Sequence, residues 1–121
     1  MATYIVDTYA WIEYFGGNER YRAHLQNAYL KTPILVLGEL SRSFTRKGIK
    51  QEKQNELLEF VKKKSYIIHM NEEKIIYAGR FAEEEKIPLA DAIIYSHASP
   101  VEKLISGDPH FERKKYVEFV K

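Results

Sequence analysis

Four carboxylates occur where chemistry could be done with them. Asp7 closes the apolar run "TYIV", Glu39 stands in "VLGEL", Asp91 in "LADAII" and Asp108 in "SGDPHF". Each has an ordinary explanation alone: Asp7 as a helix N-cap, Glu39 and Asp91 as acids near helix starts, Asp108 as a turn residue. Gathered in one place they would repel, because each negative charge raises the cost of ionising its neighbour. Such a cluster is stable at neutral pH mainly when a divalent cation neutralises it. Oxygen ligands without cysteine or paired histidine favour a hard ion, Mg²⁺ or Mn²⁺, over zinc. Carboxylates holding such an ion are a standard means of activating water against a phosphodiester.

Elements with the right alternation are needed to bring these acids together. Tyr4 to Val6 reads as a buried strand and Tyr9 to Phe15 as a helix closed by Gly16 and Gly17. Asn18 caps a second helix reaching about Tyr29, and "ILVL" after Pro33 reads as the second strand, followed by a helix from about Leu37 to Lys47. Leu57, Leu58 and Val61 mark another helix, "YIIH" a third strand, and Asn71 the cap of a helix running to about Lys86. After Pro88 comes the helix of "LADAIIYSHA", then the strand "KLIS", the turn "GDPHF" and the short strand "YVEFV". Strands separated by helices imply parallel pairing. The expected fold is a three-layer α/β/α sandwich around a mainly parallel sheet of four to five short strands. No repeat or linker divides it, so residues 1–121 are expected to form a single domain.

In an open parallel sheet the functional crevice lies beyond the carboxyl ends of the strands. Asp7 and Asp108 directly follow strands on this reading, Glu39 lies in the first turn of the helix after the second strand, and Asp91 is near a helix start. All four are therefore expected at one edge.

Composition narrows the alternatives. The 121 residues suffice for a core without staples, and the absence of cysteine excludes thiol catalysis, thiolate zinc sites and redox switching. No segment approaches the roughly 18 apolar residues of a membrane span, and the N-terminus lacks a signal pattern, so a soluble cytoplasmic protein is expected. A net charge of +2 decides nothing about nucleic acid by itself. A dehalogenase-like phosphatase would need a second Asp where Tyr9 stands, a receiver domain an acidic pair after the first strand, and a dinucleotide or P-loop module a glycine-rich turn. None is present.

With "YIVDTYAWIEYF", "VLGEL", "LADAIIYSHA" and "LISGDPHFE" in order, the chain resembles the PIN-domain family of metal-dependent nucleases, and in size the VapC-type ribonuclease toxins. The resemblance covers essentially the whole chain. It implies a metal-dependent endoribonuclease in which Asp7, Glu39, Asp91 and Asp108 bind Mg²⁺ or Mn²⁺ and activate water for in-line attack. It implies that Thr8, the small hydroxyl residue after the first acid, hydrogen-bonds within the site. It also implies an RNA substrate, a small antitoxin protein as partner and a homodimer. The last motif departs from the family's frequent form, in which Asn or Asp follows a Thr-Arg pair.

Arg42 and Arg46 lie three and seven residues beyond Glu39, on roughly its helix face, and with Lys47 could carry RNA phosphates towards the metal. Arg42 is the substrate-positioning candidate. His110, a single histidine in a turn, is expected to be an exposed bystander, and Tyr9, Trp11, Tyr14 and Phe15 to be core or interface. The competing reading is a PIN-like binding module with weak catalysis, serving a partner protein or RNA. A complete acid set argues against it, since a retired site has no physical reason to keep mutually repelling carboxylates.

Overall fold

The structure, a computed structural model, describes residues 1–121. The chain runs β1 (Thr3–Val6), α1 (Thr8–Phe15), α2 (Glu19–Gln26), β2 (Tyr29–Pro33), α3 (Ile34–Arg46), α4 (Gln51–Lys64) and β3 (Tyr66–Ile68). It continues through α5 (Glu72–Glu85), α6 (Leu89–Tyr95), β4 (Glu102–Ser106), a 3₁₀ turn (Pro109–Phe111) and β5 (Val117–Phe119). The five strands form one sheet in the order β3-β2-β1-β4-β5, and every pairing is parallel. The helices complete a three-layer α/β/α arrangement. Ile5 and Val6 are consecutive and both fully buried, as expected for a strand covered on both faces.

The connections set the position of the crevice. From β1 the chain steps outward to β2 and β3, then crosses back to β4 and continues to β5. Right-handed crossovers put the helices of outward and return paths on opposite faces. The direction reverses between β1 and β4, so the topological switch point lies beyond Val6 and Ser106. Asp7 follows the first and Asp108 lies two residues beyond the second.

The second strand differs from the sequence expectation. "ILVL" opens α3, and the strand is the preceding Tyr29–Pro33. A short apolar run does not distinguish a buried strand from a buried helix. Here it supplies Val36, which joins Leu40 and Phe44 at helical spacing on the buried face. Lys31 partly masks the strand, because it alternates with buried Leu30 and Thr32 and pairs with Glu102. Pro33 has no N–H to lose at the helix start. Two further boundaries move with this one: α2 ends at Gln26, and Glu39 is the sixth residue of α3 instead of a first-turn residue.

Trp11 fixes α1 to the sheet. Fully buried, it removes enough apolar surface from water to contribute roughly 4–6 kcal/mol at about 25 cal/mol per Å². Its indole N–H donates to Thr32 Oγ1 at 3.1 Å, and that oxygen also bonds Ser65 Oγ at 2.8 Å, tying α1, β2 and the end of α4 together. No buried side-chain nitrogen or oxygen lacks a partner. Phe15 stacks on Trp11, and Tyr14 and Phe60 complete an aromatic group around it. No helix is long and apolar enough to cross a membrane.

Candidate functional site

Asp7 is both a helix cap and a buried acid of the cleft. Its backbone is extended, and one carboxylate oxygen accepts the Ala10 N–H at 2.8 Å, which satisfies an open amide at the start of α1. The side chain is only 3% exposed. Burial pushes the carboxyl up to about 7, and the charges of Asp108 and Asp91 push the same way against hydrogen bonds from Ser106 and the Ala10 amide. Asp7 is therefore a carboxylate whose ionisation needs compensating positive charge.

Ser106 and Gly107 deliver Asp108 to it. The Ser106 hydroxyl accepts the Asp108 amide at 3.0 Å and lies near enough to Asp7 to lower its carboxyl, so it stands between the two acids. Gly107 packs so closely beneath Tyr21, Val120 and Tyr9 that a Cβ there would collide with all three. The close approach of the loop after β4 to these neighbours leaves no room for a side chain at this position. Asp108 then caps the 3₁₀ turn by accepting the His110 amide at 2.9 Å.

Asp91 comes from the first turn of α6, where the helix dipole favours an anion. Its carboxyl is also raised, first by burial and then by Asp108, with His110 opposing. His110 Nδ1 lies 2.7 Å from Asp91 Oδ2 and 3.3 Å from Asp108 Oδ1. One ligand atom from each of Asp91, Asp108 and His110 falls within 4.8 Å of the others.

Glu39 approaches from α3. Its Oε1 accepts the Thr8 hydroxyl at 2.6 Å, so a residue of α1 orients an acid on another helix. Asp7, Thr8, Glu39, Asp91 and Asp108 line one open cleft of about 330 Å³, and Arg42 and Arg46 also line it. Lys47 lies outside that lining.

The fold thus gathers all four sequence-selected acids, Thr8 and Arg42. The fold also brings Ser106 and His110 to the acids, and His110, exposed as expected, contacts both Asp91 and Asp108. Ser106 carries the weaker signal: a serine between strand and turn is common, and only the loop geometry shows it standing between two acids. The turn "GDPHF" does contain a signal for His110, because an Asp cap with Pro at the next position folds the following residue back over its carboxylate.

The donor chemistry fits a divalent cation. Four carboxylates line the cleft, two of them raised first by burial and then by neighbouring acids, and Asp91 and Asp108 are close enough to share a hard ion, with the His110 imidazole favouring Mn²⁺ over Mg²⁺.

Comparison with known proteins gives a consistent outline. The PIN domain family matches residues 4–115. No curated protein matches significantly. Among solved structures, the chain is similar to a chain of VapBC2 from Rickettsia felis, bound to a DNA fragment from its promoter. The TM-score is 0.77 and the identity 20%, over 98% of this chain and 99% of that one. It is similar to a chain of a toxin-antitoxin complex from Klebsiella pneumoniae, with a TM-score of 0.73 and 20% identity over 97% and 95% of the two chains. It also resembles a chain of VapBC-1 from nontypeable Haemophilus influenzae, with a TM-score of 0.69 and 20% identity over 98% and 97%. At that identity the likeness is one of fold.

Proposed function

From the premise that this chain belongs to the PIN-domain family, we propose that it is a metal-dependent endoribonuclease and the toxin of a toxin-antitoxin pair. The observation that carries the reading is the buried Asp7 carboxylate converging with Glu39, Asp91 and Asp108 on one cleft at the switch point. Asp91 and Asp108, whose ligand atoms lie within 4.8 Å of each other and of His110, would hold Mg²⁺ or Mn²⁺, with Asp7 and Glu39 on the same cleft completing the acid set. The bound ion would lower the pKa of a water molecule and offset charge on the scissile phosphate.

The chain's own residues supply the rest. Thr8 holds Glu39 in one orientation, and Ser106 stands between Asp7 and Asp108. Arg42 and Arg46, on the cleft wall, pair with RNA phosphates that the acids alone would repel. The cleft is open, which suits a polymer better than an enclosed small molecule.

The toxin role has a small antitoxin protein as its partner, as in the complexes whose chains share this fold. A homodimer belongs to the same reading and is checked by sedimentation velocity.

The test is cleavage of labelled single-stranded and hairpin RNAs with Mg²⁺, Mn²⁺ or EDTA, by wild type and by Asp7→Asn and Asp91→Asn. Metal-dependent cutting lost in both variants is expected. A protein that neither cuts RNA nor binds Mn²⁺ would instead be a binding module, and its acids would be caps and turns.

A further inference from the structure

A column of aromatic rings leads away from the acid cleft. Phe111 follows His110 in the chain and stacks against Tyr95 (6.2 Å, 15°), Tyr95 against Phe81 (5.0 Å, 12°) and Phe81 against Tyr77 (5.7 Å, 22°). The inner rings are packed. The outermost, Tyr77, is 49% exposed and faces a cavity of about 570 Å³ shared with Tyr116, itself 40% exposed.

The rim of that cavity is cationic. Arg113, Lys114 and Lys115 line it with a single acid, Glu85, which is already paired with Lys114. Arg113 and Lys115 form no ion pair, leaving an excess of two positive charges. Their loop is held in an unusual shape, with left-handed backbone at Arg113 (φ 69°) and Tyr116 (φ 63°). Tyr95 OH donates to the Lys115 carbonyl, and the Leu104 amide donates to the Tyr116 carbonyl at 2.8 Å. The cations are thus displayed from a backbone anchored to the ring column.

We propose that Tyr77 and Tyr116 stack bases of single-stranded RNA at the outer end of this column, while Arg113 and Lys115 hold the adjoining phosphates. The site rests on the ribonuclease reading and gives it a substrate class, unpaired RNA. Open aromatic faces next to unpaired cations match a base and its phosphate. A purely apolar protein contact would leave both charges without partners. The column connects the site to the acids through the protein: Tyr95 lies one helical turn after Asp91 on α6, a rise of about 6 Å, and Phe111 adjoins His110. Phe111 and Tyr95 are themselves buried, so bases can stack only at the outer end of the column, on Tyr77 and Tyr116.

The test is fluorescence anisotropy with a short fluorescein-labelled single-stranded RNA, using wild type in EDTA and the Asp7→Asn protein in Mg²⁺. Tyr77→Ala should weaken binding about tenfold, and Tyr77→Trp should retain it. Arg113→Ala and Lys115→Ala should each reduce the slope of log affinity against log salt by about 0.7. If wild type cuts RNA but these variants bind with unchanged affinity and slope, the stacking site is wrong and the nuclease stands. If wild type binds without cutting and the variants weaken binding, the stacking site stands and the nuclease reading fails. A Tyr77→Ala protein with altered sedimentation and unaltered RNA affinity would make the column a protein interface and overturn the proposal.

Discussion

The Thr8 hydroxyl donates to Glu39 Oε1 at 2.6 Å across 31 positions of sequence, joining the start of α1 to the second turn of α3. The contact fixes the one acid of the cleft that stands on a long helix and not at a strand end. Both residues are partly buried, so water does not replace the bond freely.

Removing that hydroxyl should loosen Glu39 without unfolding the protein. Thr8→Val keeps the shape and loses the donor, and is expected to lower metal-dependent cleavage by about tenfold, the equivalent of about 1.4 kcal/mol. Thr8→Ser should keep most of the activity. Equal activity in Thr8→Val and wild type would show that Glu39 needs no orientation.

Asp7 should make metal-free stability depend on pH. Its carboxyl titrates at about 7 in the folded protein against 3.8 in an unfolded chain, so the folded state holds the proton longer. The associated stability is complete below about 4 and lost as pH rises through about 7. Asp7→Asn should therefore melt several degrees higher than wild type at pH 8 in EDTA. Millimolar Mn²⁺ should raise the wild-type melting temperature and raise that of the variant far less. A wild-type melting temperature unmoved by Mn²⁺ at neutral pH would argue against a formed site.

His97 acts in the opposite direction. It is buried, and burial together with Lys74, whose Nζ lies 3.2 Å from Nδ1, lowers its pKa from 6.5 to about 4. An unfolded chain takes up this proton first, so stability is lost as pH falls from about 6.5 to about 4. His97→Gln should remove this acid-side loss, giving a profile dominated by the Asp7 trend. Circular dichroism melts from pH 4 to 8 in EDTA check this, and an unchanged acid limb would show that another group causes it.

The acids at strand ends were legible because alternation of strand and helix fixes which end of a parallel sheet they occupy. Asp7 after "YIV" and Asp108 after "LIS" follow from that rule. Glu39 was placed at the correct edge but with the wrong helical position, because "ILVL" satisfies a strand and a buried helix equally well. Packing of Val36, Leu40 and Phe44 together decides between them, and that is a tertiary fact. The role of His110 needed the actual fold of the turn. The aromatic column was hidden for a similar reason: Tyr77, Phe81, Tyr95 and Phe111 come from three separate elements, and their spacing in sequence gives no hint of parallel rings.

Gly107 offers the most local test of how the site is assembled. A methyl group there would meet the Tyr21 hydroxyl, the Val120 carbonyl and the Tyr9 ring. Tyr21 and Val120 cannot readily give way, because the Tyr21 hydroxyl donates to the Val120 carbonyl at 2.6 Å and Val120 N–H donates to Ser106 at 2.9 Å. Gly107→Ala should then cost about 1–3 kcal/mol by overpacking, visible as a melting temperature lower by roughly 4–12 °C. Relief of the clash moves the loop outward, which separates Asp108 from Asp7 and Ser106. The variant should therefore bind Mn²⁺ more weakly even at temperatures where it is fully folded, unlike a core variant of equal stability loss such as Val61→Ala. Matched Mn²⁺ affinities for those two proteins would mean that Gly107 serves packing alone and that Asp108 reaches the site without its help.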